Sequence, residues 1–362
     1  MTKRKHHFVP KFYLSAFQSA AKRIHLCNLR SGLTVEGASL KNQCYRRGFY
    51  GEADDVEDTL ASLETLAAPV LQTIRTEKVL PRGGTDQYLA LLAFVAAQTL
   101  RTTVVASRTD AHVDKMMKQA HSRDPRFGGV DIETVRFAYV HPVLAALGGL
   151  PSMLDAIADL RGHLVISAKA RFMTSDNPAF RYNQYCEGID HVGTTGALCR
   201  GFEIFIPLAP DLYLVLYDDT TYRVRPLERF SRRSTATASD EVALNKIQLV
   251  SADENVYFSD WAHAEAVERR LADITRDRIA DPTVVQEYGQ DDDPNSSLLH
   301  TFERTPNLNL ALSFLLLRRR LRRIPLESRA GDYRKRTPMP APPDPPGLRG
   351  RTVTFSRFLG RR

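Results

Sequence analysis

The sequence lacks any run of eighteen or more apolar residues, which is about the length that a membrane-spanning helix needs. The first residues include basic side chains but no uninterrupted apolar segment and no small-residue cleavage site, so they do not form a secretory signal. Cysteine is scarce, with four widely spaced residues and no CxxC pair. We therefore expect no transmembrane segment and a cytoplasmic protein with reduced thiols. In an oxidising compartment, Cys27 and Cys44 could instead form a disulfide.

Several motifs that would identify a reaction are also absent. The chain has no Walker-type glycine-rich loop, no GxGxxG, no HExxH, no GxSxG and no zinc-like Cys/His spacing. These absences give no support for a P-loop nucleotidase, a dinucleotide-binding domain, a zincin or an α/β-hydrolase. Function has to be inferred from individual polar residues.

The chain has no excess of negative charge, and its net positive charge is unevenly distributed along the sequence. The chain carries 50 Lys and Arg against 42 Asp and Glu. Residues 318–362 hold 14 of the basic and 3 of the acidic residues, which leaves 36 basic and 39 acidic residues in 1–317. The basic character therefore belongs to the tail and gives no support for a nucleic-acid-binding surface on the body.

A densely apolar and aromatic N-terminal motif is what the sequence does have. It runs from His6 to Phe17 as HHFVPKFYLSAF, with a proline ahead of a short helical pattern. Chain termini are usually polar and frayed, and rings left in water would be unfavourable. We therefore expect this motif to dock into the body of the protein.

Hydrophobic periodicity predicts an α+β fold of one domain over 1–285. The N-terminal motif with a first strand covers 4–30, a helical part covers about 52–160, and a sheet part covers about 161–260. One central helix, capped by Thr85 or Asp86, continues to about Met117. The helices of the first half are expected to pack on a small, mainly antiparallel sheet from the second half.

Composition changes beyond about residue 285. We predict a linker over 286–307, a basic amphipathic helix over 308–323 and a disordered Pro/Arg-rich tail over 324–362. The tail is expected to bind nucleic acid or an acidic membrane surface.

Four separated stretches together resemble a bacterial family known as domain of unknown function 4238. The resemblance covers about residues 4–260 and implies an architecture and a set of positions, without an activity. The stretches are 6–17, Gln98 with Arg101, Thr174-Ser175-Asp176-Asn177-Pro178, and Leu244-Asn245 followed by Val256-Tyr257.

The histidines and the Asp-containing loop are the candidates for catalysis. His6 and His7 point to opposite sides of an extended chain, so one of them at most faces a given cavity. Either could act as a general base or a metal ligand, and the alternative is a capped or solvated histidine. Asp176 could bind a divalent metal or orient a histidine, with Ser175 and Asn177 contacting a ligand. The same residues before a proline also suit a tight turn.

Gln98 and Arg101 share one face of the central helix. An arginine in such apolar surroundings needs an anionic partner, which is either Asp176 or Glu64 within the protein or a phosphate or carboxylate ligand. Glu57 and Glu64 lie two turns apart on one side of their helix. They could join a histidine and Asp176 around a metal ion, although solvated glutamates are commoner.

Three functions remain open at this point. The first is a hydrolase of phosphodiester or nucleotide substrates, with His6, His7 and Asp176 as catalytic residues and Gln98, Arg101, Ser175 and Asn177 binding the ligand. The second is a module that binds a nucleotide or nucleic acid without turnover. The third is a structural protein in which these residues form internal hydrogen-bond networks.

Overall fold

The computed structural model describes residues 5–329, except for 53–54, 123–125, 127, 190–193, 227–230, 275–276 and 291–292. For residues 288–290 and 293–297 only the backbone is described. The helices are Lys11–Leu14 (α1), Asp55–Glu77 (α2), Asp86–Gln98 (α3), Thr103–His121 (α4), Pro142–Gly148 (α5), Leu150–Ile157 (α6), Ala238–Ser251 (α7), Ala264–Ile274 (α8) and Leu326–Arg329 (α9). The strands are Lys5–His7 (β1), Ile24–Asn28 (β2), Thr34–Ala38 (β3), Tyr45–Arg47 (β4), Arg161–Ile166 (β5), Thr174–Ser175 (β6), Phe180–Tyr182 (β7), Glu203–Ala209 (β8), Leu212–Tyr217 (β9), Tyr222–Val224 (β10), Arg233–Thr235 (β11), Asn255–Phe258 (β12), Thr283–Gln290 (β13), Asp293–Glu303 (β14) and Leu315–Leu317 (β15).

A five-stranded sheet of order β11-β5-β9-β8-β7 forms the centre of the fold. Its strands pair antiparallel except for β11 with β5. A second sheet of order β3-β2-β12-β6 joins strands from both ends of the family-like region and is antiparallel throughout. The α+β class with helices from the first half on a mainly antiparallel sheet is therefore confirmed.

Strands β8 and β9 are buried on both faces, which explains why they are apolar along their length apart from Glu203 at the start of β8. Ile204 and Ile206 face the helical side and share a core with α2 and α3. Phe205 points to the other side, where it joins a core with Leu244 of α7. Because successive side chains of a strand point to opposite faces, the same strand contributes to two separate cores.

The N-terminal motif is docked, as its composition predicted. Strand β1 pairs with β4, and Tyr13, Leu14 and Phe17 are fully buried. Arg75 of α2 holds α1 in place, because its guanidinium donates to the carbonyl oxygens of Leu208 and Tyr13 at 2.7 and 3.3 Å. The motif is thereby fixed between the helices and the sheet.

The predicted single central helix is two helices. α3 ends at Gln98 and α4 begins at Thr103, and the two are bent by 57°. Thr99, Arg101 and Thr102 lie in the break and are buried. Periodicity did not reveal the break, because this stretch contains neither proline nor glycine to mark it.

The segment beyond residue 285 differs from the predictions. Strands β13 and β14 pair antiparallel where we predicted a linker over 286–307. The predicted amphipathic helix over 308–323 is extended chain, with β15 paired to β10. The face of the central sheet that carries Phe205 is apolar and has to be covered. The apolar residues of this segment are buried against it: Leu308, Leu310, Leu312, Phe314, Leu315 and Leu321. The domain therefore continues past residue 285.

The predicted disordered tail over 324–362 lies outside the described residues from position 330 onward. Its first described residues form α9, where Arg329 donates to the carbonyl oxygen of Tyr185 at 2.9 Å. Within the described part of the chain, no single helix is long and apolar enough to cross a membrane. Only the bent pair α3 and α4 meets that criterion, by length and composition taken together.

Candidate functional site

His6 and His7 point to opposite sides of β1, as the extended geometry predicted. His6 is buried, its Nδ1 accepts the backbone N–H of Tyr50 at 3.0 Å, and its Nε2 lies 3.3 Å from a carboxylate oxygen of Glu57. His7 lines a cavity of 290 Å³ instead. His6 thus fastens the start of the chain, while His7 is the histidine available to a ligand.

We call this space the N-terminal cavity. It lies between the docked motif, the outer face of α2 and the α3–α4 break. Its lining combines apolar side chains with two cations, two carboxylates and one imidazole. The lining residues are His7, Pro10, Lys11, Phe12, Tyr50, Glu57, Leu60, Ala61, Glu64 and Arg101.

The imidazole of His7 is neutral near pH 7 and has an unused nitrogen. Its Nε2 is buried and has no hydrogen-bond partner. Burial lowers the pKa of His7, and the ammonium groups of Lys11 and Lys5 lower it further, against the backbone of Lys41, which raises it. A neutral imidazole with an open nitrogen can accept a proton or a hydrogen bond.

Arg101 is fully buried and bound from two sides. Its Nη1 donates to Glu64 Oε1 at 2.8 Å, and the Glu64 side chain remains 27% exposed. We orient the Gln98 amide so that its oxygen accepts from Nε and Nη2 of Arg101, at 2.5 Å each, because the opposite orientation would set N–H groups against N–H groups. Of the two internal partners that the sequence suggested for Arg101, the structure places Glu64 beside it.

Asp176 lies elsewhere and is fully engaged. Its carboxylate accepts the backbone N–H groups of Asp253, Glu254 and Asn255 at 2.8, 2.8 and 2.9 Å. Burial raises the pKa of Asp176 to about 7, against the pull of those three N–H groups. It does not line the N-terminal cavity, so the structure does not bring it together with His7 and Arg101.

Ser175 and Asn177 belong to the same buried network. The Ser175 hydroxyl donates to Gln248 Oε1 at 2.8 Å, and the Asn177 amide donates to both oxygens of Ser251 at 3.0 Å. These bonds join the loop after β6 to α7. They match the turn interpretation of the Ser-Asp-Asn-Pro sequence.

The separated sequence stretches nevertheless meet in space. The hydroxyl oxygens of Tyr13 and Thr174 lie 2.8 Å apart, which joins the N-terminal motif to β6. The rings of Tyr13 and Phe94 are 5.8 Å apart, which joins the motif to α3. Thr102 in the helix break donates to Asn177 Oδ1 at 2.8 Å. The motif, the helix break and the loop after β6 are therefore neighbours.

These neighbouring stretches are the ones that suggested a family. A family model described as a protein of unknown function (DUF4238) matches residues 5–261 of the 362-residue chain, which is well over half of it. The chain belongs to the DUF4238 family. We find no match among curated proteins or among solved structures.

The four family-like stretches all lie within the DUF4238 match, and three of them meet around Tyr13 and the helix break. The cavity adds Lys11 and Tyr50, which sequence analysis missed as site residues. Lys11 lies inside the motif, so its position was a usable signal. Nothing in the sequence pointed to Tyr50, because it comes close to His7 only through the pairing of strands that are distant in sequence. In the structure, the Tyr50 hydroxyl donates to the carbonyl oxygen of His7 at 3.4 Å.

A divalent metal does not fit this site in the DUF4238 domain. Among the described residues, no group of three His, Cys, Asp or Glu side chains is placed to hold a metal ion. The carboxylate expected to join such a group, Asp176, accepts three backbone N–H groups instead. We therefore derive no step through a metal.

Proposed function

We propose that the DUF4238 domain is a cytoplasmic hydrolase of a phosphodiester or nucleotide substrate that binds in the N-terminal cavity. One observation carries the proposal: the neutral His7, with an unpartnered buried Nε2, lines the same cavity as the fully buried Arg101. Cys27 and Cys44 are buried free thiols, which is typical of proteins in a reducing compartment.

The size and charge of the cavity favour a small substrate. Its volume of 290 Å³ lies just below the usual range for small-molecule sites, about 300–1,000 Å³. That space suits a mononucleotide or a comparable phosphate ester. A guanidinium has five N–H groups, and the contacts with Glu64 and Gln98 use three of them, so two are left for a phosphate oxygen.

His7 acts as the general base in this proposal. Its Nε2 takes a proton from a water molecule as the water oxygen bonds to phosphorus, and the ester P–O bond breaks. The leaving oxygen takes a proton from the ammonium of Lys11, and solvent returns the His7 proton to Lys11. Arg101 stabilises the negative charge on the phosphoryl oxygens, with Glu64 and Gln98 holding the guanidinium in position.

The test is turnover of a substrate panel by the full chain and by His7→Gln. The panel contains bis(p-nitrophenyl) phosphate, cyclic and linear mononucleotides and a short RNA, each with EDTA, magnesium, manganese or zinc. We expect hydrolysis of a small ester in EDTA, and a loss of about 10² to 10⁴-fold in His7→Gln. The control is His263→Gln, since His263 lies outside the N-terminal cavity. Absence of turnover by the wild type, or equal losses in both variants, contradicts the hydrolase.

Binding without turnover is the second candidate, and the position of Asp176 favours it. The carboxylate of Asp176 binds three backbone N–H groups and does not line the cavity. The cavity therefore has one acid–base residue fewer than the sequence suggested. In this case mononucleotides raise the melting temperature of the wild type by at least a few degrees without being hydrolysed. Arg101→Gln would abolish that shift. If neither turnover nor a shift occurs, the network is structural.

A further inference from the structure

A second cavity, of 210 Å³, lies on the other side of the α3–α4 break. Four arginines line it, two from the helical and sheet parts of the family region and two from the chain that follows: Arg108, Arg181, Arg278 and Arg304. We call it the arginine cleft. Among the described residues that line the cleft, the carboxylates are Asp253 and Glu303.

One carboxylate serves two of these arginines. Glu303 Oε2 lies 2.8 Å from Nη1 of Arg108 and 3.5 Å from Nη2 of Arg181. Burial pushes the pKa of Glu303 up, but Arg181, Arg108 and His112 together hold it below its ordinary value. One negative charge therefore compensates two guanidinium groups.

The second carboxylate is also shared. Asp253 Oδ2 accepts the hydroxyl of Thr103 at 2.6 Å. Burial lowers the pKa of Arg278, and the carboxylates of Asp176 and Asp253 oppose that effect. Arg278 donates one N–H to the carbonyl oxygen of Leu249 at 3.1 Å, which fixes the guanidinium at the wall of the cleft.

The pairing of Arg108 with Arg181 stands out against the rest of the chain. Residues 1–317 carry 36 basic and 39 acidic side chains, so two arginines that share one carboxylate run against the average composition. Gathering like charges is unfavourable unless something compensates them. An anion bound between them would do so.

We infer that the arginine cleft binds a small anion that carries phosphate groups. Guanidinium groups match phosphate oxygens in pairs, and hydroxyl groups add neutral donors. Ser107 lines the cleft beside the arginines. A volume of 210 Å³ has room for about one or two phosphate groups and little more, so the cleft suits a free phosphorylated molecule. This site is separate from the N-terminal cavity, and its ligand does not depend on the proposed hydrolysis.

The experiment measures pyrophosphate binding to the full chain by calorimetry, with four variants. Arg108→Gln and Arg181→Gln should each weaken binding about tenfold, since each removes one charged contact. Glu303→Gln should instead tighten binding several-fold, because it removes the carboxylate that competes with the ligand for both arginines. Arg161→Gln is the control, an exposed arginine paired with Asp219 outside the cleft. It should leave the affinity unchanged.

The Arg161→Gln control separates this site from general attraction to basic residues elsewhere in the chain. Nonspecific binding would weaken by the same small amount in Arg108→Gln, Arg181→Gln and Arg161→Gln, because each removes one positive charge. A wild type that binds no pyrophosphate overturns the proposal, as does a Glu303→Gln variant that binds it more weakly. If Arg108→Gln fails to fold, Glu303→Gln and Arg181→Gln still decide.

Discussion

The two cavities flank the same helix break but hold their arginines in different ways. In the N-terminal cavity, Arg101 has no exposed side-chain surface and pairs with Glu64. In the arginine cleft, the side chains of Arg108 and Arg181 are 33% and 28% exposed and share Glu303. A fully buried guanidinium needs its own carboxylate, whereas a partly exposed one keeps water as an alternative partner.

This difference would give the two proposed anion sites different properties. Arg101 is held rigidly by Glu64 and Gln98, so in the proposed hydrolase its two remaining N–H groups would meet the substrate in a fixed position. Arg108 and Arg181 share one carboxylate, so each of them would gain a partner if an anion bound in the cleft. The first arrangement suits catalysis, which needs preorganised charge, and the second suits binding.

The largest effect is expected from Glu64→Gln. It leaves the guanidinium of Arg101 buried without a countercharge, so the free energy of unfolding should fall by about 3 kcal/mol. Glu57→Gln is the matched control on the same helix, since Glu57 lies 3.3 Å from the imidazole of His6 and not beside a guanidinium. We expect the control to lose less than about 1 kcal/mol. Urea denaturation at pH 7 measures both, and equal losses would show that Arg101 does not depend on Glu64.

A smaller effect is expected from Asp176→Asn, in the loop that both cavities share as a neighbour. The asparagine amide places an N–H group where the carboxylate accepted hydrogen bonds from three backbone N–H groups. The free energy of unfolding should therefore fall by about 2 kcal/mol at pH 7. Because burial raises the pKa of Asp176 to about 7, the folded wild type keeps a proton that the unfolded chain releases.

The sign of the pH dependence follows from that difference in proton binding. The contribution of Asp176 to stability is greatest below its unfolded pKa, and it falls as the pH rises from about 4 to 7. Asp176→Asn lacks this contribution, so the difference in unfolding free energy between the two proteins should change over that range. A difference that stays constant from pH 4 to 7 would contradict the raised pKa.

Sequence patterns identified the parts of this fold that repeat regularly. The helical part over about 52–160 was visible because burial of one helix face imposes a period of 3.6. The strands β8 and β9 were visible as short apolar runs, which are typical of strands buried on both faces. Docking of the N-terminal motif followed from its rings alone. The leucines from 308 to 321 were misassigned to a helix, because a short apolar run fits a helix or a buried strand equally well.

The site was predictable as a set of residues but not as a geometry. The sequence singled out His7, Gln98, Arg101 and Glu64, and all four meet at or beside one cavity. It also grouped Asp176 with them, although the three N–H groups that bind its carboxylate belong to residues 253–255. The positions of backbone N–H groups cannot be read from a sequence, so the hydrogen bonds of Asp176 to residues 253–255 could not be predicted. The arginine cleft escaped notice because its four arginines are scattered from position 108 to position 304.

The smallest expected effect gives the most direct test of the central claim, that His7 is neutral and faces a cavity open to ligands. The histidine side-chain resonances of the ¹⁵N-labelled full chain are followed against pH, with His7→Gln to assign them, and then against added AMP. We expect a pKa for His7 below 6.5 and a displacement of its signals by AMP, with those of the buried His163 unmoved. A His7 that titrates at or above 6.5, or signals that AMP leaves in place, would contradict the account.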